Sequence, residues 1–133
     1  MIYKAMFALL LLLPPQAVQQ LLPLYEKARL SFFGKSHYEY SFTYTDEGNV
    51  LPITSDRDYN QNSVRICTNT AGIVHTHPAG TDKRPSPNDI EVAKRVGIPN
   101  YVLSQYELWV AMPDGRVQKV ADVKFKKGKV ELR

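Results

Sequence analysis

"GIVHTHPAGTDKRPSPNDIEVAKRVG", Gly72 to Gly97, decides how this chain folds. GIVHTH is dominated by β-branched residues and reads as a strand. PAGTDKRP is a polar, proline-bounded loop. SPNDIEVAKRVG then carries a full set of helix signals. Ser86 is the N-cap, Pro87 holds the first helical position, Asp89 is the acidic third residue of a capping box, and Gly97 is the stop.

Working outward, YVLS (101–104) and YELWVAM (106–112) read as strands. A PDG turn follows, then strands at RVQKVADVKF (116–125) and KVELR (129–133). Upstream, VRICT (64–68) reads as a strand and SDRDYNQNS (55–63) as a polar loop. HYEYSFTY (37–44) alternates with the period of a half-buried strand. Tyr38, Tyr40, Phe42 and Tyr44 face one way, and His37, Glu39, Ser41 and Thr43 the other. The DEGN turn (46–49) returns the chain to VLPIT, so a hairpin is expected. PLYEKARLSFFG (23–34) predicts a helix begun by Pro23 and stopped by Gly34, with Leu24, Ala28, Leu30 and Phe32 on its apolar side. The order helix, strands, helix, strands predicts an α+β fold around a mixed β-sheet flanked by helices.

The chain has 133 residues, enough for one domain. Residues 1–17 have the layout of a secretory signal: a short cationic MIYK, the apolar run AMFALLLLL, then PPQA ending on a small residue. The domain proper is therefore expected over 18–133, with a secreted or periplasmic location if the leader is used and a cytoplasmic one otherwise. The apolar run is too short to cross a bilayer, so no stable membrane span is expected. The net charge of +4 is mild. Its densest part, KFKKGK (124–129), fits a lysine-rich sheet edge. No basic stripe with interleaved aromatics is present, so no nucleic-acid partner is expected. Cys67 is the only cysteine. It cannot close an intrachain disulfide and is expected to be a small buried residue on a strand.

His75 and His77 share one strand face, because residues two apart point the same way. Such a pair can chelate one ion, or can be two ordinary histidines. Ser86 and Asp89 are fully explained as helix caps when taken alone. The combination is more specific. HTHPAGTDKRPSPND (75–89) fits H-[ST]-H-P-x7-S-x2-D at all six fixed positions, each met by chance roughly one time in twenty. This resembles the signature of the JAMM (MPN+) zinc metallopeptidases.

The resemblance implies a JAMM/MPN-like (cytidine-deaminase-like) core. It also implies a Zn²⁺ ion held by His75, His77 and Asp89, and amide or isopeptide hydrolysis of a peptide or protein substrate through a metal-activated water. Ser86 would steady the oxyanion. A glutamate on an earlier strand would act as base, and Glu39 fits because it lies on a strand, while Glu26 (on a helix) and Glu47 (in a turn) are alternatives. A non-catalytic MPN-type scaffold is the second reading, though such scaffolds usually lack some ligands. Other zinc chemistries fit less well: there is no H-E-x-x-H helix, and the chain has H-x-H and one cysteine where a nucleobase deaminase has H-x-E and P-C-x-x-C. Nothing is seen to activate Cys67 for a Cys–His protease. Lys83 and Arg84 would rim the cleft, free to meet an acidic substrate group or simply solvated. The sequence is silent on oligomeric state.

Overall fold

The computed structural model describes residues 13–56 and 66–133. The elements are helices α1 (Pro15–Lys27) and α2 (Arg29–Phe32), strands β1 (Tyr40–Thr45), β2 (Thr54–Ser55) and β3 (Thr70–Thr76), and helix α3 (Pro87–Val96). Strands β4 (Asn100–Ser104), β5 (Glu107–Ala111), β6 (Val117–Lys126) and β7 (Lys129–Leu132) follow. The strands form one seven-stranded sheet in the order β2-β1-β3-β4-β5-β6-β7. Only β3 and β4 run parallel, joined by the loop and α3; the other pairs are antiparallel. The fold is thus α+β around a curled, mixed sheet, as the element order predicted.

Alternation divides the sheet into two faces. Phe42 and Tyr44 of β1, Val74 of β3, Tyr101 and Leu103 of β4, and Leu108 and Val110 of β5 share a core with α1. Helix α1 touches both β1 and β7, so the sheet curls around it. The opposite parity, Ser41, Thr43, Ile73, His75, Asn100 and Val102, faces the α3 side, and α3 packs on β4 and β5.

The first helix corrects the expectation that Pro23 begins it. Helix α1 starts at Pro15 and carries Pro23 inside. Ala17, Leu21, Leu24 and Ala28 form a stripe at helical spacing, and all are buried. An internal proline costs about 3 kcal/mol. Burying each leucine contributes roughly 1.5–3 kcal/mol, so the stripe outweighs the proline. The chain then passes through α2 and ends near Gly34, as expected. Residues 1–12 of the expected leader lie outside the described residues. Leu13 and Ala17 are buried in the core, so α1 runs across the Ala17–Val18 boundary.

Three further readings are corrected. Strand β1 begins at Tyr40 and not His37, and it is buried on both faces: Ser41 and Thr43 are as hidden as Phe42 and Tyr44. Ile66–Thr68 form no strand, while Val64 and Arg65 lie outside the described residues, as does most of the polar loop before them. Cys67 is exposed, sitting in the turn whose carbonyl accepts from Thr70 N.

The DEGN turn forms as read, and β2 pairs antiparallel with β1. Lys124, Lys126, Lys127 and Lys129 are exposed on the β6–β7 hairpin at the sheet edge, as expected. Among the described residues no helix is long and apolar enough to cross a membrane.

Candidate metal centre

Strand β3 ends at Thr76, and the chain turns out of the sheet at His77 and Pro78. Helix α3 begins across from this point. Its capping box is complete: Asp89 N donates to Ser86 Oγ at 3.1 Å, and Ser86 N donates to Asp89 Oδ2 at 2.8 Å. The cap therefore does two things. It ends the helix's unpaired N–H groups, and it fixes the Asp89 carboxylate in front of the strand end. Asp89 Oδ2 lies 3.0 Å from His77 Nε2, and Oδ1 lies 3.1 Å from His75 Nε2. The two imidazole rings meet edge-on, with centroids 5.1 Å apart.

Glu39 completes the cluster. It precedes β1 by one residue and keeps the strand's parity, so it faces His75 and not the core. A carboxylate oxygen of Glu39 and one nitrogen from each of His75 and His77 all lie within 4.8 Å of one another. Although outside the strand, Glu39 is held firmly. Its N–H donates to Asp56 Oδ1 at 2.9 Å, and its carbonyl accepts from Asp56 N at 3.2 Å. On either side of it, the Tyr38 carbonyl accepts from buried Ser31 Oγ at 2.8 Å, and Tyr40 N donates to Thr76 Oγ1 at 3.0 Å. That last bond gives the hydroxyl between the two histidines a structural task. Glu26 and Glu47 are exposed, on α1 and in the β1–β2 turn, and neither joins the cluster.

The loop 78–85 orients His77. His77 Nδ1 is 2.8 Å from the Asp82 carbonyl. A carbonyl can only accept, so Nδ1 carries a proton and Nε2 is the atom turned toward Asp89 and Glu39. Such an outer hydrogen bond is the usual means of aiming a metal-binding imidazole. The loop is itself pinned. Arg84 pairs with Asp82 at 3.0 Å, Lys83 Nζ reaches Glu107 at 2.7 Å, Ser104 Oγ donates to the Lys83 carbonyl at 2.9 Å, and Ala79 N donates to the Ser31 carbonyl at 2.9 Å. Arg84 lines the cleft, as the loop position suggested, and both cations are largely exposed while paired with Asp82 and Glu107.

The charges strain against one another. Burial alone would push the Asp89 carboxyl up, but the facing imidazoles and the Ser86 N–H hold it well below the usual carboxylate range. Burial would pull His77 down, yet the Asp89 carboxylate and the Asp82 carbonyl outweigh it and His77 is raised. Burial pushes Glu39 up; the two imidazoles offset this in part, while Asp89 and Asp56 add to it.

One atom bears on whether a cation would fit here. His75 Nε2 is buried and within ion-pair reach of Asp89, but it is out of line for a hydrogen bond and has no such partner. A buried ring nitrogen left unpaired costs about 1–3 kcal/mol. Two imidazole nitrogens and a carboxylate form a donor set that suits Zn²⁺, with a second carboxylate beside it. The residues present thus fit the ion.

The centre opens onto a cleft of about 730 Å³, lined on one side by the 78–84 loop and on the other by Ile73, Val92 and Val96. His37, read as sharing Glu39's face, is exposed with its ring beside that of Tyr38, and it does not join the cluster. Cys67 is not among the residues lining the cleft, so no Cys–His pair forms with His75. Among the lining residues that escaped the sequence reading are Asn100, at the start of β4, and Arg95, on α3. No protein-family model and no curated protein matches the chain.

Proposed function

We propose that this chain is a zinc-dependent amide hydrolase of JAMM type, acting on a peptide or isopeptide bond in a peptide or protein substrate. The observation that carries the reading is the convergence of His75 Nε2 and His77 Nε2 on the Asp89 carboxylate, at 3.1 and 3.0 Å, with Glu39 beside them. Separate elements, β3, α3 and the approach to β1, contribute to one small volume that opens onto a cleft. The motif H-[ST]-H-P-x7-S-x2-D supports the reading, and the α+β fold around a curled mixed sheet is compatible with the core that the resemblance implies.

His75, His77 and Asp89 would hold the ion. Bound there, zinc supplies a Lewis acid and a water whose pKa falls to near 7. The residues do the rest. Glu39, neighbour to both imidazoles and raised toward neutrality by burial, takes a proton at its carboxylate and passes it to the departing amine. Ser86 uses its oxygen to accept from Asp89 N, which leaves its hydroxyl proton free to donate to a developing oxyanion. The Asp82 carbonyl keeps His77 Nε2 aimed inward throughout.

Zinc content of the purified full chain tests the reading, measured for the wild type, His77→Ala and Glu39→Ala after equilibration with excess zinc and desalting. Wild type should carry one zinc per chain and His77→Ala almost none. Glu39→Ala should keep its zinc and lose hydrolysis of a peptide or isopeptide library by at least about a hundredfold, the usual scale of a lost general base. Equal zinc in the wild type and His77→Ala would remove the metal centre. A zinc-replete wild type that cuts nothing in the library would leave a metal-binding scaffold.

A further inference from the structure

On the side of the metal centre away from the 78–84 loop, the cleft lining is chemically different. Along β3 the side chains on this face run His77, His75, Ile73. Along α3, the face that carries Asp89 continues one and two turns later as Val92 and Val96. Ile66 adds to the same lining. Asn100, register partner of Ile73, lies in the floor between strand and helix.

Two groups on this side lack partners. Asn100 is 3% exposed. Its Nδ2 donates to the Asp89 carbonyl at 3.2 Å, but Oδ1 is buried with no hydrogen bond. Arg95, six residues beyond Asp89, stands about 9 Å further along the helix axis. Unlike Arg84, which Asp82 holds, Arg95 makes no ion pair with any described residue, Glu91 one turn earlier included.

We infer that the part of the cleft beyond the metal centre is a substrate subsite that takes an aliphatic side chain against Ile73, Val92 and Val96 and a carboxylate at Arg95. This rests on the hydrolase reading and narrows its substrate class to peptides with an aliphatic residue next to the scissile amide and a carboxylate about two to three residues away, given roughly 3.3 Å per extended residue. The carboxylate is either a chain terminus or an acidic side chain. The guanidinium fork accepts both, as a charge-assisted pair.

Fluorescence anisotropy with labelled leucine-containing hexapeptides tests the inference. The full chain is supplied with zinc and carries Glu39→Gln so that the probe is not consumed. Three probes are compared: one with a free C-terminal carboxylate, its C-terminal amide, and the amide with glutamate at the last position. At least one carboxylate probe should bind about tenfold tighter than the neutral amide, and which one does so identifies the source. Adding Arg95→Gln should bring that ratio to within about twofold, and Arg95→Lys should restore part of it. Val92→Trp, which fills the cleft, should weaken all three probes alike. Equal binding of neutral and carboxylate probes, or a ratio unmoved by Arg95→Gln, overturns the inference. Arg95-dependent binding of peptides that the wild type never cuts removes the hydrolase and leaves the subsite. Turnover of peptides without Arg95-dependent preference does the reverse.

Discussion

Asp89 shows how one side chain can serve two structures. As a capping residue it satisfies the start of α3, and as a carboxylate it draws His75 and His77 to one point. In the metal-free protein, a proton on His77 Nε2 stands where a cation would. His77 is raised above its ordinary value of about 6.5, so the stability it gains from Asp89 is fully present below that pH and is lost as pH rises through the raised value. Glu39, also raised, disfavours the folded state once ionised and adds to the same fall. Asp89, whose pKa is lowered, contributes stability above about 3.8, lost only as pH drops through its depressed value, so it does not change over this range. Metal-free protein should thus melt lower at about pH 8 than at about pH 6. The rise in melting temperature on adding zinc should be larger at about pH 8, because the ion no longer competes with that proton. Differential scanning fluorimetry with and without zinc reads both, and a zinc-induced rise that is greater at the lower pH would contradict the arrangement.

At the level of elements, what the sequence revealed was what local signals alone could determine. Helix α3 was legible from end to end, because Ser86, Pro87, Asp89 and Gly97 act within a few residues of where they stand, and Gly97 adopts the left-handed conformation of a helix stop. The strand before it was legible from its β-branched run, and the parity of 37–44 put Glu39 on the correct face. Helix α1 was misread because Pro23 is a local signal overruled by a distant one, the burial of Leu21 and Leu24 under the sheet. Arg95 and Asn100 were invisible for the same reason: only the crossing of α3 over the sheet brings them to one cleft.

A close approach between β1 and β3 makes another such long-range demand. Gly72 sits opposite Tyr44, and a Cβ there would fall 2.3 Å from the tyrosine ring. The ring is buried and cannot swing clear. Gly72→Ala should therefore destabilise the protein by about 1–3 kcal/mol, the usual cost of overpacking. Chemical denaturation should show the loss, and Gly72→Ala with Tyr44→Phe should not recover it, since the clash involves ring carbon as well as the hydroxyl. Unchanged stability in Gly72→Ala would mean that β1 and β3 yield to each other freely.

For the molecule as a whole, the curled sheet separates two tasks. Its concave face closes on α1 and forms the apolar core, while its other face carries the histidines, Asn100 and α3. Stability of the site thus depends on the helices of the core side, of which α2 reaches it through Ser31, whose hydroxyl and carbonyl hold Tyr38 and Ala79. Leu13 and Ala17 belong to that core, so a chain beginning at Val18 would lack both. Their burial contributes about 3 kcal/mol together. Against a total of roughly 5–15 kcal/mol that is a large share, and the shortened chain should melt about 10 °C lower than the full one. Cleavage after Ala17, which the leader-like segment suggests, would produce this shortened chain. Intact mass of the protein recovered from its native cells gives the actual first residue, and melting of the two recombinant forms gives the cost. A Val18 chain as stable as the full one would show that the first turn of α1 contributes nothing to the core. A lower melting point should be accompanied by weaker zinc retention, since the same core supports Ser31 and through it the segment that carries Glu39.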